Sequence, residues 1–397
     1  MNIRNSISAL KDEITGYRRE LHQNPQTSYE EVFASNLIAE KLTAWGIEHE
    51  HGWAVTGIVA KIEGEKNTSG KSIGLRADID ALDIFEKSGQ EWGSKTPGKM
   101  HACGHDGHTS MMLGAAKYLS ENRNFDGTVY LIFQPAEEGG GGAIRMIEEG
   151  LFKKHKIDSV YGLHNGPMYP KGHIGVNSGP MMASSDEVKI TVTGVGGHAA
   201  MPHTVKDPVI AAAYLITSLQ TIISRNLNPV HPAVLSITNI NAGTGANNVV
   251  PDTVEILGTS RGFSMETRQL VERKLHEICQ NIAGAFDVQI EAHYEYNYDP
   301  TVNTPAEAAI CAQVAKDLVG NDNVDDNVEP CMGAEDFGAM LQQVPGCYLW
   351  LGQAEPNNPN SPHNKGLHNA GYDFNDEVIP LGIEYWVRVV ETMLPLK

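Results

Sequence analysis

Apolar and polar positions along this chain follow two different rhythms, and the places where the rhythm changes divide it. Ile3, Ile7, Leu10, Ile14, Tyr17 and Leu21 recur every three or four residues, the spacing of an amphipathic helix and not of an apolar leader peptide. Short apolar runs follow at Thr56–Ile62, Ser72–Ala81, Thr128–Gln134 and Ser159–Leu163, while Thr109–Leu119 and Ala143–Glu149 between them have helical periodicity. This alternation predicts an α/β fold: a mainly parallel sheet with helices on both faces. Sheets of that kind collect ligands beyond the carboxyl ends of their strands. Polar clusters stand at three such places, after Ala77, after Gln134 and after Leu163.

Past Met181 the order changes. Glu187–Thr193 alternates as a strand, and Asp207–Arg225 reads as a long helix opened by Asp207-Pro208, a cap and first-turn pair. Val234–Ile240 and Thr253–Thr259 are strands, Glu266–Phe286 a second helix and Val288–Tyr296 a last strand. The sequence βαββαβ is that of a ferredoxin-like unit, and its span of about 115 residues suits an independent domain. Alternation returns from Thr304, with Pro305–Val319 helical, Cys347–Gly352 a strand and Glu377–Met393 a closing helix. The expected organisation is therefore a larger domain, residues 1–183 and 300–397, interrupted by a smaller one, residues 184–299.

Composition narrows the partners. Apolar residues make up 41% and charged residues 20% of the chain, and 30 Lys plus Arg stand against 49 Asp plus Glu, a net charge of −19. So acidic a surface repels nucleic-acid phosphates and anionic lipid, which excludes both as expected partners. No run of about 18 apolar residues offers a membrane span. Five cysteines without a CxxC pair read as reduced thiols, and the expected location is the cytoplasm.

The chemistry-bearing residues begin at His101-Ala102-Cys103-Gly104-His105-Asp106. A thiolate, an imidazole and a carboxylate this close suit zinc, manganese, cobalt or nickel. Gln134-Pro135-Ala136-Glu137-Glu138 then follows an apolar strand and leads into Gly139–Gly142. Neighbouring side chains on an extended segment point opposite ways, so one glutamate can bind metal while the other faces an attacking water. His164 and His368, ordinary structural histidines when read singly, stand where an open sheet gathers ligands from separate strand ends. With Cys103, His105 and Glu138 they make a set of five donors, enough for two metals that share bridges.

These residues carry a resemblance. Leu75-Arg76-Ala77-Asp78-Ile79-Asp80-Ala81-Leu82, His101–Thr109, Gln134–Gly139 and Gly197-His198-Ala199-Ala200-Met201-Pro202-His203 occur in order. Asn248-Val249-Val250-Pro251-Asp252, Gly258-Thr259-Ser260-Arg261, Gly333-Ala334-Glu335-Asp336-Phe337 and Leu367-His368 complete the set. The chain resembles the M20 peptidase family, in its branch of aminoacylases, hippurate hydrolases and auxin-conjugate hydrolases. That resemblance implies a zinc-aminopeptidase-like catalytic domain with an inserted ferredoxin-like lid and dimerisation domain. It implies two divalent ions on Cys103, His105, Glu138, His164 and His368, with Glu137 as general base. It gives His198 to the oxyanion, often across a homodimer or higher oligomer, and Asn248 and Arg261 to the substrate pocket. Read from the residues themselves, Asp78 and Asp80 at the end of their strand either orient the ligand imidazoles or only cap the strand end, Glu335 and Asp336 would support the site from behind, and Asp106 and His108 would support Cys103 and His105.

The activity implied is hydrolysis of the amide of a small-molecule N-acyl or N-aroyl amino acid. A dipeptidase or carboxypeptidase-like activity is the alternative, since peptides share the amide and the free carboxylate. A metal-dependent binding protein without turnover is a third reading, and Glu137 speaks against it, because mere binding needs no base beside a ligand.

Overall fold

The structure, a computed structural model, describes residues 2–396. A single turn at Asn5–Ser8 precedes α1 (Lys11–Gln23) and α2 (Val32–Ala44), so the amphipathic stretch expected as one helix is broken at Ala9 and Leu10. Its apolar stripe still faces inward: Ile7, Ile14 and Leu21 are buried. The chain continues through β1 (Glu48–Trp53), β2 (Gly57–Glu63), β3 (Ser72–Asp78) and α3 (His105–Glu121). Next come β4 (Thr128–Gln134), α4 (Gly142–Glu148), β5 (Ser159–Pro170) and β6 (Ile174–Gly175).

The middle of the chain holds β7 (Ser185–Thr193), β8 (Gly197–His198), α5 (Pro208–Thr221), β9 (Ala233–Ala242) and β10 (Val249–Val250). It closes with β11 (Thr253–Gly262), α6 (Met265–Phe286) and β12 (Gln289–Tyr298). The last part contributes α7 (Pro305–Val319), β13 (Val324–Asp325), β14 (Gly346–Ala354) and α8 (Ile379–Met393).

Two compact units result. One comprises Met1–Met181, Val302–Glu329 and Asp336–Lys397, the other Met182–Thr301 and Pro330–Glu335. The short segment 330–335 goes with the second unit because Ala183 N–H donates to the carbonyls of Cys331 and Gly333, at 3.1 and 2.9 Å.

In the first unit eight strands lie in the order β1-β2-β4-β3-β5-β14-β6-β13. Its centre is parallel, β4 with β3, β3 with β5 and β5 with β14, and antiparallel pairs flank it. All seven residues of β3 are buried. Alternating side chains achieve that only when both faces of a sheet are covered. Helix α3 packs between α1 and α8, and α7 lies on β14. Strand β5 runs on past Leu163, where the apolar run ends, so His164 lies inside the strand and not after it. The polar residues there remain buried because they are paired: Asn165 Nδ2–H donates to Tyr372 Oη at 2.6 Å.

The second unit is a four-stranded sheet, β9-β11-β7-β12, antiparallel throughout. Its order and connections are those of a ferredoxin-like βαββαβ fold. Asp207 caps α5 by accepting from the N–H groups of Val209 and Ile210, the role its sequence predicts. Among the described residues no helix is long and apolar enough to cross a membrane.

Candidate active site

The sheet register sets the site. Asp78 and Gln134 are opposite partners at the carboxyl ends of β3 and β4, and the chain beyond each carries the polar residues. Gly104 takes a left-handed φ of +94° as the residue before α3. A Cβ at that position would collide with Asn165 and Tyr372, so glycine is required. This turn puts Cys103 just outside the helix and His105 at its first position. Two non-glycine residues nearby also have positive φ, Ala136 at +54° and His368 at +64°, a conformation that costs an L-residue energy and is held only by its surroundings.

The structure brings five of the residues singled out by sequence together. Donor atoms of Cys103, His105 and His164 lie within 4.8 Å of one another, and so do those of Cys103, Glu138 and His368. Cys103 thus belongs to two overlapping triads. Cys103 Sγ is 3.4 Å from His164 Nε2, and His368 Nε2 is 3.2 Å from Glu138 Oε1. His105 Nε2 faces Glu137 Oε2 and Glu138 Oε1, both at 4.0 Å. That nitrogen is fully buried and finds no hydrogen-bond partner among the described residues.

Each imidazole is aimed by its other nitrogen. His105 Nδ1 lies 3.0 Å from the Asp80 carbonyl and 3.1 Å from its carboxylate, and His164 Nδ1 lies 2.8 Å from the Asn165 carbonyl. Both arrangements leave Nε2 as the lone-pair nitrogen. Asp80 does double duty, because its other carboxylate oxygen accepts from Glu138 N–H at 2.9 Å. His108 differs. Its Nδ1 is 2.6 Å from Asp78 and its Nε2 is 2.6 Å from Asn165 Oδ1, so it supports neighbours with both nitrogens. His101 is buried but joins none of the donor triads.

The electrostatics fit a cation. Burial pushes the Cys103 thiol well up, and the Glu138, Glu137 and Asp78 carboxylates push it further. Burial opposes a charge on His105, yet Asp78, Asp80 and Glu138 outweigh it and raise the imidazole to about 10. Burial also lowers His164, helped by His108. A divalent cation bound here would offset the carboxylates that raise the Cys103 thiol and the His105 imidazole, and so would favour their deprotonated, metal-binding forms. The orphaned nitrogen, the buried thiol and the facing carboxylates are donors of the kind zinc and its neighbours accept.

Behind the donors lies a buried ion network. Arg76 donates to Gln134, Asp78 and Asp336 at 2.8, 2.7 and 3.0 Å, and Asp336 accepts from Gln134 and from Ala143 N–H. Asp336 is therefore a brace between β3, β4 and the start of α4. Asp106 accepts from Gly107 N–H at 2.9 Å and is held by His22 Nδ1 at 2.7 Å and Arg18 Nε at 3.2 Å.

The second unit holds the remaining residues singled out by sequence. The β8–β10 ladder pairs His198 with Val249, and Ala199 N–H donates to the Asn248 carbonyl at 3.0 Å, so His198 and Asn248 are neighbours. Both are exposed. His198 Nδ1 accepts from Ala200 N–H at 3.1 Å, which leaves Nε2 with the proton. Arg261 lies inside β11, half-buried, and donates only to Thr259 Oγ1 and the Ser260 carbonyl. Among the described residues it makes no ion pair. Arg268 instead takes the carboxylates of Asp186 and Asp299, each at 2.5 Å.

Comparison with known proteins identifies the family. The profile of peptidase family M20/M25/M40 matches residues 74–392. The chain belongs to that family. It is 41% identical over 389 residues to a hippurate hydrolase of Campylobacter jejuni, covering 98% of each chain. It is 39% identical to a thermostable carboxypeptidase of Saccharolobus solfataricus, covering 96% of this chain and 95% of that one. A crystal structure of a dinuclear metal binding M20 peptidase from Bacillus subtilis superposes with a TM-score of 0.84 at 32% identity, over 98% and 99% of the two chains.

Sequence reasoning missed the N-terminal contribution to this family site. Arg18, His22 and Glu31 are fully buried and all three precede the matched region. Arg18 and His22 sit on α1 beside its apolar stripe, and Glu31 stands directly before α2. Nothing in periodicity marks a buried charge; its partners have to be seen.

Proposed function

We propose that this protein hydrolyses the amide bond of N-acyl or N-aroyl amino acids, releasing a carboxylic acid and a free amino acid. The observation that carries the reading is the Cys103, His105, Glu138, His164 and His368 donor set with the Glu137 carboxylate 4.0 Å from His105 Nε2. We assign two ions to these residues, drawn from zinc, manganese, cobalt or nickel, to polarise the scissile carbonyl and acidify the attacking water.

Glu137 takes a proton from that water as its oxygen adds to the carbonyl carbon. The same carboxyl then gives the proton to the amide nitrogen as the C–N bond breaks, a shuttle that one well-placed carboxylate can perform in both directions. His198 with its proton on Nε2 is the form that donates to a developing oxyanion. Arg261, whose guanidinium has no carboxylate partner among the described residues, is assigned the free α-carboxylate of the substrate. Asn248, beside His198, is assigned to the substrate pocket with it. The second unit is further proposed as a homodimer surface, because β9 is an edge strand whose residues 238–242 are exposed.

The test is Glu137→Gln. It should keep its metal by elemental analysis and lose about a thousandfold in kcat; a fully metallated, fully active variant would refute the mechanism. The similarity to a carboxypeptidase keeps peptides in view, so the substrate panel must set benzoyl- and acetyl-amino acids against dipeptides on protein reloaded with each metal. Faster turnover of dipeptides would replace the acyl-amino-acid reading.

A further inference from the structure

The loop that carries Glu137 is held in an unfavourable backbone shape by a residue far away in sequence. Ala136 has φ +54° and no exposed surface. Its N–H donates to Glu31 Oε1 at 2.9 Å. The same oxygen accepts from Tyr29 N–H at 3.0 Å, and Tyr29 is itself left-handed, with φ +67°. One carboxylate oxygen therefore collects the amides of two non-glycine residues in a conformation that L-residues avoid. The other oxygen, Oε2, accepts from Thr56 Oγ1–H at 2.5 Å, which fixes the orientation of the carboxylate. Two further bonds from the same segment hold the loop: Tyr29 Oη–H donates to the Gly140 carbonyl at 2.6 Å, and Ser28 Oγ–H to the Glu138 carbonyl at 3.2 Å.

We infer that Glu31 is a positioning residue for hydrolysis: by binding the Ala136 amide it imposes the left-handed turn that sends Glu137 toward the reacting water. The inference rests on Glu137 being the general base. Geometry explains the dependence. Ala136 immediately precedes Glu137, so relaxing its φ to a negative value would swing the Cα–Cβ bond of the next residue. Glu138 is less exposed to that change, because Asp80 holds its N–H independently at 2.9 Å. Loss of Glu31 should therefore disturb the base more than the metal ligand beside it, and should lower kcat with little effect on KM or metal content.

Four proteins test this beside Glu137→Gln. Glu31→Leu keeps volume and removes both acceptors; kcat should fall about 10- to 100-fold, the effect of a misplaced catalytic group, with metal content and KM near wild type. Glu31→Gln keeps one oxygen for the Ala136 amide and should stay within about threefold of wild type. Ala136→Gly in the Glu31→Leu background should recover much of the lost kcat, since glycine enters the left-handed region without the Cβ penalty. That rescue is not expected if Glu31 only stabilises the fold. Should Glu31→Leu not fold, Glu31→Asp, which withdraws the carboxylate by one methylene, takes its place with the same expected sign. Wild-type kcat in a folded, metallated Leu or Asp variant overturns the inference, and so does a glycine double variant no faster than its parent. If Glu137→Gln proves fully active, the mechanism fails instead, and the two failures are thus told apart.

Discussion

The donor cluster of the first unit and the proposed substrate-reading residues of the second are built in opposite ways. Asp78, Asp80, Asp106 and Asp336 are buried and each is held by two or more residues, while buried His105 is aimed by both the carbonyl and the carboxylate of Asp80. His198 and Asn248 are exposed on a two-residue ladder, and Arg261 leans on its own strand. Metal ligation tolerates only small errors in position, so the cluster is over-determined by its surroundings. A side chain that reads a substrate must stay free to bind it, and a guanidinium already paired would be useless for that. Arg268, buried and ion-paired with Asp186 and Asp299, shows what a structural arginine in the same unit looks like.

Metal removal should widen the contrast furthest. Exhaustive chelation is expected to abolish turnover. In hydrogen exchange it should expose the amides of residues 101–110 and 134–142, whose donors then repel or hold extra protons. Strands β7 and β11 should exchange as before. Equal loosening in both units would mean that the metal's influence is not local to its donors.

Arg261→Ala comes next. It should lower kcat/KM about 100-fold for an N-acyl amino acid with a free carboxylate, the scale of a charge-assisted pair. The corresponding amide or methyl ester should be little affected, and metal content unchanged. The same loss on both substrates would remove Arg261 from substrate recognition.

How much of this could be read from the sequence follows the same division. The residues that cluster around Cys103 were legible because metal chemistry restricts which residue types to look for, and because Cys103-Gly104-His105 and Glu137-Glu138 are local strings. Strand β4 and helix α7 were legible to the residue, since Val129–Phe133 is an unbroken apolar run between polar Thr128 and Gln134, and Pro305 marks a helix start. The extent of β5 was not, because His164 and Asn165 interrupt its apolar run and only tertiary partners keep them in the strand. Glu31 and Arg18 were invisible for a related reason. Their value lies in contacts with residues 105 and 355 positions away, and no local pattern records those.

Asp80→Ala probes that hidden layer and should act more mildly than losing a ligand. It removes the carboxylate that aims His105 and one acceptor of Glu138 N–H, while the Asp80 carbonyl still reaches His105 Nδ1. Metal affinity should fall about 10-fold, toward the lower end for loss of such a partner, measured by competition with a chromogenic chelator. Unchanged affinity would show that the carbonyl alone orients the ring.

The smallest effect on catalysis should come from Arg268→Met, which sharpens the comparison from the other side. The substitution leaves Asp186 buried with the Tyr294 hydroxyl but without its cation. Breaking a buried pair this way costs about 3 kcal/mol, and the cost should appear as a lower melting temperature of the second unit with metal content untouched. Burial already raises the Asp186 carboxyl above 3.8 even with Arg268 beside it, and removing the guanidinium raises it further. The folded variant then binds a proton more tightly than the unfolded chain between that ordinary value and the raised one. Stability must therefore fall as pH rises through this window. The deficit against wild type should thus be smaller at pH 5 than at pH 8. A deficit independent of pH would assign the damage to lost packing of the long arginine stem and not to the stranded charge.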